Sequence, residues 1–270
     1  MQKYDHNVKP PKSRADENHD GQKTSFCKKD MVTVYGRQTC REVLQDQSLK
    51  VFRLHLSKSN RASDMIDELT SLANKRGIEI CYHNRSKLSY ISRNGREDQG
   101  VVCDIKYRAF EYYRKFLSKQ QHHAATTLIA LDGITNPQNL GMIIRSVVAS
   151  NVSSILLPTT KKNLISPLAI KASAGTVFKS NILRCENLAN ALRDFQKRGY
   201  KVVAMESHAK QTIDKFKVEG PIIYVLGNET DGLSEDIINI ADYKLSIALQ
   251  RGVESLNVAV AAALVAFMLA

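Results

Sequence analysis

From Met31 onward, short apolar runs that end in polar turns alternate with stretches whose apolar positions recur every three or four residues. The first kind reads as strands and the second as helices. Between residues 31 and 106 the strand candidates are VTVY (32–35), VFRLHL (51–56), IEICY (78–82) and VVCDIK (101–106). The helices between them turn Cys40, Val43 and Leu44 inward in one case and Met65, Leu69, Leu72 and Ala73 in the other, which stops at Gly77. Such alternation over a short stretch predicts a small, separately folded α/β domain.

A second series begins at Thr127. TLIALDG is a buried-strand pattern, and the helix LGMIIRSVVAS carries Leu140, Ile143, Ile144, Val147 and Val148 on one face, with Asn139 expected as its N-cap. SILLPTTK follows as a strand, and Lys171, Ser173 and Gly175 fall in a small-residue turn. The helix opened by Asn187 and closed by Gly199 turns Leu188, Ala191, Leu192 and Phe195 inward. KVVAMES, PIIYVLG and YKLSIA complete the strands, and this βα repetition predicts a parallel sheet.

Three segments stand outside this pattern. Residues 1–30 lack apolar periodicity and read as a disordered basic tail. Residues 107–126 read as a linker, in which Tyr107, Phe110, Tyr113 and Phe116 recur at helical spacing as either a packing face or a base-stacking platform, with Gln120 to Ala125 as its flexible part. The run from Val258 to Ala270 is shorter than the roughly 20 residues a membrane span needs. It reads as a buried helix, and a helix apolar on every side is also a candidate subunit interface.

Composition adds a partner class. The 270 residues carry a formal net charge of +12, which favours an anionic partner. Residues 1–126 hold 24 Lys+Arg against 15 Asp+Glu, while residues 127–270 hold 15 against 12, so the front half is the part expected to grip RNA. There Arg37, Arg41, Lys58, Arg61, Arg85, Lys87, Arg93 and Arg96 are the candidate phosphate contacts. Five cysteines without a CxxC pair suggest neither a disulfide framework nor a zinc site, and a reducing cytoplasm fits them.

The chemistry is concentrated at three turns. GxGxxG, P-loop, HExxH and GxSxG patterns are all absent. Instead LDGITNPQNLGMIIRS (131–146), LGNETDGLS (226–234) and SIALQRGVESLNVAVAAA (246–263) each leave an apolar strand through a polar turn and enter a helix. In a parallel sheet such turns gather at one edge, where ligands bind. From the residues alone the reading ends at a basic α/β protein with a ligand site at its C-terminal strand ends.

These segments resemble, in order and approximate spacing, the three signature motifs of the SpoU (TrmH) family of RNA ribose methyltransferases. YGRQTCREVL, the helix ending KRGI, and NRSKLSYIS followed by QGVVCDIK resemble the ribosomal-protein-like substrate-binding domain of the bacterial rRNA members. The resemblance implies a SPOUT-type, trefoil-knotted parallel-sheet domain at residues 127–270, preceded by an RNA substrate-binding domain at 31–106. It implies S-adenosyl-L-methionine as cofactor, held at Leu226, Gly227, Asn228, Ile247 and Leu256, largely through backbone groups. It implies transfer of a methyl group to a ribose 2′-hydroxyl by a homodimer, on a guanosine of large-subunit rRNA, with tRNA as the other substrate. A catalytically silent RNA-binding or ribosome-assembly protein is the rival reading.

The residue roles also come from the resemblance. Arg145 is the central catalytic group, read here as holding the neighbouring phosphate and stabilising oxyanion charge, because a guanidinium is a poor free base. It is expected in the first turns of its helix, where a cation opposes the helix dipole and invites an anionic partner. Asn139 orients Arg145 or the ribose. Glu229 accepts a hydrogen bond from substrate or loop, or is a helix-start carboxylate. Ser255 and Asn257 fix the cofactor loop, or cap the last helix. Two departures stand out: Ile247-Ala248-Leu249-Gln250-Arg251 where IPM and a small residue are usual, and Thr230 where glycine is usual.

Overall fold

The computed structural model describes residues 31–106, 110–119, 126–159 and 165–268. The N-terminal tail, Tyr107 and the segment from Gln120 to Ala125 lie outside the described residues.

The front part is a four-stranded mixed sheet in the order β1 (Met31–Tyr35), β4 (Val101–Lys106), β2 (Val51–Ser57), β3 (Glu79–His83). Alternate positions send Val34, Leu54, Leu56, Cys103 and Ile105 to one face. There they share a core with Cys40, Val43 and Leu44 of α1 (Arg37–Gln45) and Leu69 and Ala73 of α2 (Asp64–Lys75). Arg76 closes the end of α1: its guanidinium donates at 2.5–3.1 Å to the carbonyls of Val43 and Leu44, in the last turn where a helix leaves its oxygens without partners, and to those of Asp46 and Leu49 beyond it. A further helix, α3 (Arg85–Ser92), is capped by Asn84 and buries Leu88 against Tyr35 and Val102 on the opposite face.

That opposite face is otherwise polar. Thr33 Oγ1 donates to Asp104 at 2.7 Å, and His55 Nε2 lies 3.1 Å from the other Asp104 oxygen. Burial alone would raise Asp104, but these two hydrogen bonds outweigh it and hold the carboxyl below its ordinary value. Burial, then the neighbouring His55, Lys87 and Lys58, push His83 down. Burial and Glu79 push the Cys81 thiol up.

The second sheet is all parallel, in the order β10-β12-β9-β11-β6-β7-β8-β5. Its strands are β5 (Glu111–Tyr112), β6 (Thr127–Leu131), β7 (Ser154–Pro158), β8 (Ile182–Cys185), β9 (Lys201–Met205), β10 (Gln211–Thr212), β11 (Ile222–Leu226) and β12 (Tyr243–Ser246). Both faces are covered, as parallel sheets require. Ile129, Leu131, Ile155, Tyr224 and Leu226 share one core with α5 (Pro137–Val148), α6 (Pro167–Ala172) and α9 (Val258–Met268). Leu128, Ala130, Leu156, Ile223 and Val225 share the other with α4 (Tyr113–Lys119), α7 (Leu188–Gln196) and α8 (Glu235–Ile240). The expected α/β class with a parallel sheet is the one observed.

Three expectations are corrected. Within the expected linker, residues 110–119 are structured: β5 pairs with β8, and α4 buries Tyr113, Phe116 and Leu117 beside Phe195, whose ring lies 6.0 Å from Tyr113 and 6.3 Å from Phe116. The aromatic spacing at 113 and 116 is therefore a packing face. The N-cap of α5 is Asn136, whose side chain accepts from the amides of Gln138 and Asn139, because Pro137 at the first helical position has no N–H to satisfy. Finally, α9 is not covered all round, since Val260, Leu264, Phe267 and Met268 remain exposed.

Two contacts position these parts. Gly141 of α5 comes so close to α6 that any side chain there would collide with the Ala169 carbonyl and the Ala172 methyl. The segment after Ser166 also carries the front domain: Lys171 Nζ pairs with Glu97 at 2.6 Å and lies 6.0 Å from the centre of the Tyr35 ring, and Lys179 Nζ pairs with Glu42 at 2.5 Å.

Candidate functional site

Strands β6, β11 and β12 run parallel, so the turns that leave them emerge at one edge. Main-chain and side-chain bonds stitch the first two together. Asn228 Nδ2 donates to the Gly133 carbonyl at 2.8 Å, and the Ser234 amide donates to Asp132 at 2.8 Å. Within the second turn Asn228 and Gly232 exchange backbone bonds at 2.9 and 3.0 Å. Gly227 is required by this turn itself: a Cβ there would collide with the Gly232 carbonyl and the Leu233 amide nitrogen. After β12 the chain crosses through residues 247–257 and seats α9 against α5 and β11.

Between the turns lies a cavity of about 470 Å³. It is lined by Leu226, Gly227, Asn228, Ile247 and Leu256, all five residues expected to hold the cofactor, and by Glu229 and Ser255 from the expected catalytic set. Leu249, Leu245 and Val258 add apolar wall, while Glu206, Glu229 and Asp231 place three carboxylates on the lining.

One side chain joins all three motifs. Asn139, with only 7% of its surface exposed, donates from Nδ2 to Glu229 Oε1 and accepts at Oδ1 from Asn257 Nδ2 at 3.2 Å. Since Asn136 caps α5, the Asn139 side chain is released for this bridge. Asn257 in turn caps α9, its Oδ1 accepting from the Ala259 amide at 2.9 Å. Asn257 thus caps α9 and bonds Asn139 at the same time. Glu229 sits in the turn well before α8, so the helix-start alternative does not hold, and Ser255 is exposed on the lining.

Arg145 is placed differently from expectation. It lies in the last turn of α5, where a cation suits the helix dipole, so the argument from an unfavourable dipole fails. It is exposed, is not part of the cavity lining, and has no hydrogen-bond or ion-pair partner among the described residues. Within the chain the side-chain partners of Asn139 are Glu229 and Asn257. Of the unusual loop residues, Thr230 does not have a positive φ, and its amide donates to Asn228 Oδ1 at 2.7 Å, so the turn does not depend on glycine there.

Sequence reading missed Glu206, Ser207 and His208, which follow β9 and line the cavity. Only the pairing of β9 between β11 and β12 brings them there, and no local pattern announces that pairing.

The SpoU rRNA Methylase family model matches residues 126–267, and a model described as RNA 2'-O ribose methyltransferase substrate binding matches residues 33–110. A Mycolicibacterium vanbaalenii protein described as an uncharacterized tRNA/rRNA methyltransferase is 30% identical over 237 residues, covering 87% of this chain and 75% of its own. An rRNA methyltransferase structure from Sinorhizobium meliloti is similar with a TM-score of 0.69 at 25% identity, covering 88% of this chain and 86% of that one. An AdoMet-bound rRNA methyltransferase structure from the same organism has a TM-score of 0.70 at 24% identity, covering 88% and 86%. With its three motifs joined through Asn139 and the second and third lining one cavity, this chain belongs to the SpoU rRNA methylase family of RNA methyltransferases.

Proposed function

We propose that the chain transfers a methyl group from S-adenosyl-L-methionine to a ribose 2′-hydroxyl of large-subunit ribosomal RNA, at a guanosine. The observation that carries this reading is the Asn139 bridge, which ties Glu229 of the cavity lining to Asn257 of the third motif. The cavity suits the donor in kind. Its volume is in the range of small-molecule sites, its wall mixes apolar side chains with polar groups and the backbone at Gly227 and Asn228, and Glu206, Glu229 and Asp231 complement a positively charged sulfonium. When bound, the donor supplies a methyl group already activated for transfer.

The protein then has to bind, orient and remove a proton from the ribose hydroxyl. Glu229, held by Asn139, accepts a hydrogen bond from the substrate at the cavity mouth. Arg145 holds the adjacent phosphate and stabilises charge developing on the ribose oxygen. Arg145 and Met142, 42% exposed, are open on α5, and α5 packs against α9, on which Val260, Leu264 and Phe267 are open. A second copy packed on this face covers these side chains and carries Arg145 to the paired site, so the working form is a homodimer. Phe267→Glu is expected to shift the protein to monomer in sedimentation at micromolar concentration while its circular dichroism stays that of the wild type, and loss of the dimer should lower its thermal midpoint. A dimer that persists unchanged rejects this face.

RNA is held by the front domain. Of the expected phosphate contacts, Arg41 pairs with Glu68 and Arg85 with Asp98, whereas Lys58, Arg61, Lys87, Arg93 and Arg96 are exposed without an ion pair among the described residues. Replacing Lys58 and Lys87 together by glutamate should weaken RNA binding and reduce the slope of log affinity against log salt by about two, one for each phosphate no longer neutralised. An unchanged slope removes them from the interface.

The deciding experiment is transfer of labelled methyl to purified ribosomal RNA and to tRNA, with ribose methylation mapped in cells with and without the gene. Product on a large-subunit guanosine supports the proposal. Product on tRNA alone replaces the substrate, and donor binding without any product favours a silent RNA-binding protein.

A further inference from the structure

We propose that His55, Cys81 and His83 of the front domain form a binding site for one divalent cation of the zinc class. The register of the small sheet builds it. In the parallel pair of β2 and β3, His55 stands opposite Cys81, and His83 follows two residues later on the same face. Their donor atoms, one from each side chain, all lie within 4.8 Å of one another. His55 Nδ1 and His83 Nε2 are 2.9 Å apart. Two imidazole nitrogens and one thiolate suit zinc, whose bond lengths of about 2.0–2.3 Å put neighbouring donors roughly 3.3–3.7 Å apart in a tetrahedron. The two nitrogens need to separate by only a few tenths of an ångström.

The outer shell is also in place. His55 is 5% exposed, and its Nε2 faces Asp104, which is itself held by Thr33. A proton on Nε2 shared with Asp104 leaves the Nδ1 lone pair aimed at His83 and Cys81. This carboxylate–histidine pairing is what orients metal-binding imidazoles. Asp104 belongs to β4, His55 to β2 and Cys81 and His83 to the edge strand β3, so one cation ties three strands together. The Cys81 thiol donates to Glu79 at 3.4 Å without a metal, and that proton leaves on uptake. Three protein donors leave the fourth position to water. Lys58 and Lys87 flank His83, so the site stiffens the face that carries two of the proposed phosphate contacts.

The test uses untagged full-length protein, stripped with a chelator and titrated with Co²⁺ as a spectroscopic probe. The expected result is one equivalent bound with tetrahedral d–d bands and a thiolate-to-cobalt charge-transfer band, displaced by Zn²⁺. Cys81→Ser should remove the charge-transfer band, and His83→Ala should weaken binding at least tenfold. Asp104→Asn should weaken it 10- to 100-fold while keeping the band. His55 is too buried for a clean substitution, but Cys81 and His83 are partly exposed and their variants remain readable. Zinc should also raise the thermal midpoint of the wild type and not of His83→Ala. Absence of the charge-transfer band, or a band that survives in both Cys81→Ser and His83→Ala, overturns the proposal, the second outcome by assigning the metal to other cysteines or histidines.

Discussion

Arg145→Ala is expected to lower methyl transfer to RNA about 100- to 1000-fold, the loss seen when a single donor to a developing oxyanion is removed. The fold should not notice. Arg145 is exposed and without a described partner, so the change in stability should stay within about 0.5 kcal/mol. Donor affinity should also hold, since Arg145 is outside the cavity lining. Calorimetry with S-adenosylmethionine and single-turnover methylation separate the two quantities. Arg145→Lys keeps the charge but loses the planar fork that grips a phosphate through two bonds, and should fall between wild type and alanine. Near-normal turnover by folded Arg145→Ala removes this residue from the reaction.

Gly227→Ala should act in the opposite way, on the cavity before the chemistry. The new methyl would meet the Gly232 carbonyl and the Leu233 amide, both main chain, so the turn has to open. Overpacking of this kind costs about 1–3 kcal/mol. The bridge between Asn228 and Gly232 and the bonds of Asn228 with Gly133 and Thr230 belong to the same turn. Donor affinity should therefore drop at least tenfold, about 1.4 kcal/mol. Calorimetry and thermal denaturation read the two losses, and an alanine variant that binds the donor as wild type shows that the turn tolerates the methyl.

Elements with a strong period were legible in the chain. The stripe through Leu140, Ile143, Ile144 and Val147 is buried as expected, and the alternation in TLIAL sends Ile129 and Leu131 to one core and Leu128 and Ala130 to the other. Where apolar periodicity was weak, function and packing were confused. Tyr113 and Phe116 sat in an apparent linker because a two-residue strand such as β5 leaves almost no pattern. Asn136 and Asn139 are equally good cap residues by type, and only the backbone path through Pro137 decides between them.

Local order along the chain determined the strands, the helices, the excess of cation in the front half and the three turns that carry polar residues, because each depends on neighbours a few positions apart. Tertiary structure alone decided that Asn139 reaches Glu229 and Asn257, that Glu206 joins the cavity, that Arg145 faces outward, and that His55 meets Cys81 and His83. Those meetings depend on strand order and register between segments tens of residues apart, and side-chain periodicity sets which face a residue takes but not which strand lies beside it.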